Sequence, residues 1–439
     1  MITFAINMMY KITPPRYINV TVNLPASKSV SNRALIIHAL ASDAGRRPPA
    51  DALGLRQVSS ALPDNLSDCD DTEVIISALR DAPDVIDIKA AGTAMRFMTA
   101  YLSVTPGTHV ITGTERMRHR PIGTLVDALR RLGADIGYTG DEGFPPLRIT
   151  GGELRGGEID IPGTVSSQYI SALLLIAPMM SKGLRLRLTG GVISRPYINL
   201  TMKLMHDFGA QVEWADIDMI EVKPVAYTLR PYRVENDWSA ASYWYEMMAV
   251  TPSSQSTVTL PGLIDGSSQG DSAIRFLFSM LGVKTMFEPA AQGEQTTVTL
   301  TKTRTRLHRL EYDFVNQPDM AQTFVVCCAL MGIPFRFTGL ASLKIKETDR
   351  IEALKKEMRK MGYVVNDVNG RELIWEGERC PADEQPVIDT YDDHRMAMAF
   401  TPAAIMMPGL RINNPHVVSK SYPHFWDDLK AAGFLIDEE

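Results

Sequence analysis

Lys28, Ser29 and Arg33 stand together in LPASKSVSNRALIIHALA, where Pro25 breaks a strand ending at Leu24 and Val30, Ala34, Ile37 and Ala41 mark one face of a helix. A helix start offers free N–H groups and the positive end of the backbone dipole. Lys28 and Ser29 at that mouth, with Arg33 one turn on, therefore suit a charged group such as phosphate. In AAGTAMRFMTAYL, Gly92 and Thr93 open another helix, and the absent side chain lets a ligand approach the backbone. GTERMRHRPIGTLVDALRRLG puts Arg116, Arg118 and Arg120 on a loop before a Pro-started helix, a clamp for carboxylate or phosphate. Ser166, Ser167 and Gln168 precede the apolar helix of GTVSSQYISALLLIAPMM, and Ser194 precedes Pro196 in GVISRPYINLTMKLMHDFG. Both read as uncharged phosphate or hydroxyl cradles, and Ser194 equally as an ordinary cap.

The second half carries the carboxylates. NQPDMAQTFVVCCALMG places Asp319 at the entrance of an apolar helix, where an aspartate is either a cap or a base. KIKETDRIEALKKEMRKMG buries Ile351, Leu354, Met358 and Met361 and crowds Lys346, Glu347 and Arg350 into its first turn. Lys346 and Arg350 are four apart and alike in charge, which is unfavourable unless an anion lies between them. YDDHRMAMAF and VVSKSYPHFWDDL add Arg395 and Lys420. His394 reads as a hydrogen-bonding partner rather than a proton carrier. Asp392, Asp393 and His394 are sequential neighbours that do not readily share one ion, so no metal is assigned.

These segments need a scaffold that repeats. Amphipathic runs such as ALRRLGADI and KEMRKMGYVV close on a glycine and then alternate like a strand. The glycines at 133, 209, 282, 362 and 433 are 76, 73, 80 and 71 residues apart. One helix-and-strand unit used repeatedly explains such a period, with a degenerate copy around Ser77 to Ile88 that lacks the glycine. Strands are expected over Tyr17 to Leu24, Thr257 to Leu260 and Thr296 to Leu300. No Gly-rich dinucleotide turn or phosphate loop is present, which argues against a nucleotide enzyme. Residues 43 to 66, rich in Pro, Gly and polar side chains, read as an inserted surface loop.

With 439 residues, 45% of them hydrophobic, the chain is long enough for two or more domains. Its formal charge of −6 offers no global attraction for nucleic acid or an anionic membrane. Cys69, Cys327, Cys328 and Cys380 form no C-x-x-C pair, so a reducing compartment is expected. The first residues do not read as a targeting segment, and the longest apolar stretch, Ala172 to Met180, is too short to span a bilayer. A soluble cytoplasmic protein is expected.

Taken in order, PASKSVSNRA, AGTAMR, RMRHRPIGTLVDAL, GTVSSQYISALL, SRPY, KETDR, DDHRMAM and the late Lys420 resemble the enolpyruvyl transferase family over nearly the whole chain, and in particular its branch acting on shikimate 3-phosphate. The resemblance implies a mixed α/β fold, an inside-out barrel of two domains with three βαββαβ units each. Residues 1–25 join 239–439 in one domain, 26–238 form the other, and helix starts of both face a cleft. It implies transfer of the enolpyruvyl group of phosphoenolpyruvate to the 5-hydroxyl of shikimate 3-phosphate with release of phosphate, by a monomer needing no cofactor. Carried over, Lys28, Ser29, Arg33, Ser166, Ser167, Gln168, Ser194, Asp319, Ser342 and Lys346 would hold shikimate 3-phosphate. Lys28, Gly92, Arg120, Gln168, Arg350, Arg395 and Lys420 would hold phosphoenolpyruvate. Asp319 would be base for the hydroxyl, Glu347 would give and later remove the methyl proton, and Lys28 with the arginines would stabilise the departing phosphate.

The chain departs from the family pattern at Ala90 and Ser342, where an Asn is frequent, and at Phe97, where a Pro is. The sister branch acting on a UDP-sugar typically carries a reactive Cys in the loop that here reads RMRHRP, and none of the four cysteines lies there. The RNA 3′-phosphate cyclase branch is disfavoured by the acidic net charge and by the KETDR and SKSVSNR matches. A catalytically dead ligand-binding homologue is the remaining alternative.

Overall fold

In the computed structural model, described for residues 8–42, 62–288, 295–305 and 307–439, all five periodic glycines take the left-handed conformation. Their φ values are 107° at Gly133, 86° at Gly209, 83° at Gly282, 87° at Gly362 and 92° at Gly433. Each ends a helix and admits the chain to the outer strand of a four-stranded sheet, respectively Asp135–Tyr138, Val212–Asp216, Val283–Glu288, Asn366–Val368 and Leu435–Glu438. The degenerate copy keeps the geometry without the residue. Ala82, just past the helix Asp70–Asp81, holds φ 39°, at about 1–2 kcal/mol that a glycine would not incur.

The five described sheets share one plan, in which two parallel strands are followed by two antiparallel ones. The period is therefore a repeated sheet with its helices in a mixed α/β chain, which explains why it exceeds ordinary solenoid lengths.

The chain forms two compact units. The first described here runs from Ala26 to Glu235. It contains the sheet of Val85–Asp87, Gly107–Thr112, Leu147–Gly151 and Asp135–Tyr138, and that of Gly157–Pro162, Leu184–Thr189, Met219–Val222 and Val212–Asp216. Of the third sheet expected there, the described residues show only a parallel bridge between Asp64 and Arg233, flanked by the Asn65 Nδ2 bond to the Val234 carbonyl at 2.8 Å. The 43–66 segment falls mostly outside the described residues, and its end is pinned by these bonds.

The other unit joins Met1–Pro25 to Asn236–Glu439. Met9–Thr13 lies between Leu410–Asn413 and Leu435–Glu438 and pairs antiparallel with both. Asn19–Thr21, shorter than the strand expected over Tyr17 to Leu24, pairs parallel with Thr257–Pro261. Val387–Ile388 completes the first of these sheets, and Phe335–Thr338 with Glu372–Trp375 forms the centre of a third.

Helices that are apolar on every side have nowhere to go but the core. Trp238–Val250 buries Trp238, Tyr243, Trp244 and Tyr245 at 1% exposure or less, and Ala321–Leu330 and Ser167–Ile176 are buried almost throughout. With their flanks sealed in packing, such helices leave chiefly their ends for polar chemistry, and Ser166, Ser167 and Gln168 sit at the start of one and Asp319 just before another. Among the described residues no helix is long and apolar enough to cross a membrane.

Candidate active site

In the unit Ala26–Glu235, the helix Lys28–Ala41 begins at Lys28 itself, after Ser27, whose side chain makes no capping hydrogen bond. Lys28 Nζ reaches the buried Asp71 at 3.1 Å, across from the first turn of Asp70–Asp81. Arg33 is 2% exposed and spreads over neutral oxygens. Its Nε donates to Thr201 Oγ1 at 2.7 Å, Nη1 to the Ser29 carbonyl at 2.8 Å and Nη2 to Ser171 Oγ at 3.2 Å. Burial pushes this guanidinium down to about 10. Phe97, fully buried in the unbroken helix Gly92–Val104, lies 5.2 Å beneath it, so the departure at this position serves as a floor for Arg33.

Gly92 opens that helix, and its missing Cβ has a specific use. A Cβ here would stand 2.7 Å from Arg120 Nη1 and 3.1 Å from Cζ. Arg120 lies flat against the glycine, and its Nε is buried without a hydrogen-bond partner among the described residues. The Gln168 amide donates to Thr93 Oγ1 at 3.0 Å, tying two helix starts together, while Ser166 caps its own helix by accepting from Gln168 N at 3.3 Å. Ser167 is buried in the first turn. Ser194 has φ 53° and makes no side-chain capping bond, so the ordinary-cap reading fails there. The arginines expected on a loop are partly helical. Glu115–Arg118 forms one turn capped by Thr114, with Arg118 on Glu115 at 3.4 Å, while Arg120 lies against Gly92.

In the other unit, Asp319 is not a cap, since neither the short Pro318–Met320 turn nor Ala321–Leu330 uses its side chain as one. Its Oδ1 lies 2.7 Å from Arg350 Nη1 and 3.2 Å from Lys346 Nζ, and its Oδ2 lies 3.6 Å from Arg395 Nη2. The anion that the Lys346/Arg350 pair requires is thus supplied by the protein itself. Arg350, 1% exposed, also meets Glu347 Oε2 at 3.0 Å and both oxygens of Asp393 at 2.6 and 3.1 Å. Glu347 Oε1 stands 3.5 Å from Lys420 Nζ. Ser342 is half-buried in the turn Ala341–Ile345 that leads into this cluster.

Electrostatics follow from that geometry. Burial works to raise the Asp319 carboxyl, but Lys346, Arg395 and Arg350 together hold it far below the usual carboxylate range. Burial alone would lower the Arg350 guanidinium, yet Asp393, Glu347 and Asp319 keep it above its ordinary value. The cluster thus sets three cations, Lys346, Arg350 and Arg395, around one carboxylate.

The structure brings Asp319, Lys346, Glu347, Arg350, Arg395 and Lys420 into one connected network. In the other unit it joins Gly92 to Arg120 and Thr93 to Gln168, while Lys28 and Arg33 are held by Asp71 and by Thr201 and Ser171. Sequence reasoning missed Asp71, Asp393, Thr201, Ser171 and Tyr243, the last meeting Arg395 Nη1 at 3.4 Å. Asp393 carried a readable signal, an aspartate just before an apolar run, and it does cap His394–Phe400 through Arg395 N at 2.9 Å.

A model of the EPSP synthase (3-phosphoshikimate 1-carboxyvinyltransferase) family matches residues 12–429. A 3-phosphoshikimate 1-carboxyvinyltransferase of Bacteroides fragilis is 57% identical over 429 residues, 98% of this chain and 99% of that protein. One from a Sulfurovum species is 35% identical over 96% of this chain and 98% of its own. In fold, the chain is similar to the EPSP synthase of Acinetobacter baumannii, with a TM-score of 0.74 at 21% identity over 98% of this chain and 100% of that one. Matched by the family model along nearly its whole length, and more than half identical to a full-length relative, the chain belongs to the EPSP synthase family.

Proposed function

We propose that this protein is a 3-phosphoshikimate 1-carboxyvinyltransferase, moving the enolpyruvyl group of phosphoenolpyruvate to the 5-hydroxyl of shikimate 3-phosphate and releasing phosphate, a step toward chorismate and the aromatic amino acids. The observation that carries the reading is the network in which a base, Asp319, and a proton donor, Glu347, share one buried arginine, Arg350. Addition to an anionic enol phosphate, followed by elimination, needs such a set.

The ring oxygen bonds to the enol carbon as its proton passes to Asp319 and the methylene takes a proton from Glu347. Glu347 then removes a methyl proton while the carbon–oxygen bond to phosphate breaks, restoring the double bond, and the proton held on Asp319 leaves with the phosphate. Arg350, Arg395, Lys420 and Arg120 bind the donor's charges, and Lys28 neutralises the departing phosphate. Ser29, Ser166, Ser167, Gln168 and Ser194 take the acceptor's oxygens, with Arg33, whose buried charge meets only neutral partners among the described residues, on its carboxylate. Lys346 and Ser342 complete the acceptor side. We place the enzyme in the cytoplasm as a monomer without nucleic-acid or membrane partners.

A phosphate-release assay with shikimate 3-phosphate and phosphoenolpyruvate tests this, with UDP-N-acetylglucosamine as parallel acceptor and phosphorus NMR of the product. Release with shikimate 3-phosphate alone is expected. Release only with the UDP-sugar would assign the sister activity, and binding without release would mean an inactive homologue.

A further inference from the structure

Asp319 is the proposed base, yet among the described groups it is held by three cations, one oxygen shared by Lys346 and Arg350 and the other beside Arg395. A carboxylate so neutralised is a poor proton acceptor. Two of those cations are anchored from another side. Arg350 keeps Nε and Nη2 on Asp393, leaving its Nη1 edge as the part that faces Asp319, and Arg395 rests its Nη1 on Tyr243. Their heads can therefore change anion without leaving their places.

We propose that the donor substrate switches the base on: the anionic oxygens of phosphoenolpyruvate take up Arg395 and the Nη1 edge of Arg350, releasing Asp319 from all but Lys346 so that it accepts the acceptor's hydroxyl proton. The inference rests on the functional reading above. It makes Asp319 inert toward protons until the donor is seated, so an acceptor bound alone is not deprotonated. The charged groups facing Asp319 are Lys346, Arg350 and Arg395, with Glu347 on the far side of Arg350, Asp393 behind it, and Lys420 reached through Glu347. The helices Arg350–Lys360 and His394–Phe400 both pack against Ala321–Leu330, and Arg350 and Arg395 on them both touch Asp319 and are braced elsewhere.

The test is proton uptake on donor binding. Phosphoenolpyruvate is titrated calorimetrically at pH 5 into wild type and Asp319→Asn, each saturated with the 5-deoxy analogue of shikimate 3-phosphate, which has no hydroxyl to react. Buffers of different ionisation enthalpy give the proton count. The donor's own ionisation is followed by phosphorus NMR in each protein and subtracted, and the expected result is a larger uptake by wild type. Equal counts, together with an Asp319 carboxyl carbon whose NMR titration midpoint does not move with donor, would overturn the proposal. Should the variant bind the donor too weakly for calorimetry, the carboxyl carbon of Asp319 in aspartate-labelled wild type is titrated by NMR with and without donor. A midpoint that rises with donor supports the switch, and an unmoved one overturns it. Turnover of Asp319→Asn with true substrates separates the two claims. Normal turnover removes Asp319 from the chemistry, whereas lost turnover with equal proton counts and an unmoved midpoint leaves the base in place and refutes only its release.

Discussion

Asp393 grips Arg350 with both oxygens, at 2.6 Å to Nε and 3.1 Å to Nη2, and neither side chain is more than 1% exposed. A buried guanidinium held so firmly on one edge presents the other in a fixed direction. Asp393→Ala should therefore remove two charge-assisted bonds from Arg350, with Asp319 and Glu347 still opposite its charge, and cost about 1.5–3 kcal/mol of stability in urea unfolding. In protein that still folds, the KM for phosphoenolpyruvate should rise more than that for shikimate 3-phosphate. An unchanged donor KM would show that Arg350 does not depend on this brace.

Removing the base should separate binding from turnover. Asp319→Ala is expected to lower kcat by about 10²–10⁴-fold while substrate binding by fluorescence or calorimetry persists. Retained kcat would remove the residue from the mechanism.

The same carboxylate ties stability to acid. Its folded value is depressed, so its contribution is fully present above its unfolded value, about 3.9, and is lost as pH falls toward the folded one. The stability difference between wild type and Asp319→Asn should be constant above about pH 5 and shrink below about pH 4. A difference that does not change with pH in urea titrations would mean the cluster does not couple to folding.

Gly92→Ala would drive a methyl group into the Arg120 guanidinium, since the added carbon stands 2.7 Å from Nη1. Loss of one charge-assisted contact, about 1.5–3 kcal/mol, corresponds to roughly ten- to a hundredfold in donor affinity. The measurement is the KM for phosphoenolpyruvate, with kcat less affected. An unaltered KM would place Arg120 away from the donor.

Glu246 lies wholly buried in Trp238–Val250, and neither carboxyl oxygen has a hydrogen-bond partner among the described residues. Burial pushes its carboxyl well above the usual range, so the folded state keeps a proton that the unfolded chain loses. Stability contributed this way is complete below the unfolded value and declines as pH rises, by about 1.4 kcal/mol per unit. Glu246→Met should stabilise the protein at pH 7 by about 1–3 kcal/mol and flatten the slope. A destabilised methionine variant would point to a hidden partner.

How far the sequence could be read follows from how local each signal is. Gly133, Gly209, Gly282, Gly362 and Gly433 mark helix ends by a backbone need that one residue satisfies, and their spacing exposed the repeated sheet. Ala82 meets the same need without a glycine, so that copy looked degenerate. Lys346, Glu347 and Arg350 were legible as a crowded turn because the conflict between like charges lies within four residues. Its resolution by Asp319, 27 positions before Lys346 in the numbering, was not. Asp71 under Lys28 and Thr201 under Arg33 stay silent for the same reason, since hydrogen bonds across 43 and 168 residues leave no local pattern.

The strand Met9–Thr13 is made long before its partners, Leu410–Asn413 and Leu435–Glu438. At about 5–20 residues per second, a gap of about 400 residues is a wait of roughly 20–80 s. Meanwhile the contiguous unit Ala26–Glu235 has every one of its own strands in hand. During synthesis Met9–Thr13 is thus a solitary strand with exposed edges, and a holding chaperone that covers it should matter more to the yield of this protein than one that acts on Ala26–Glu235.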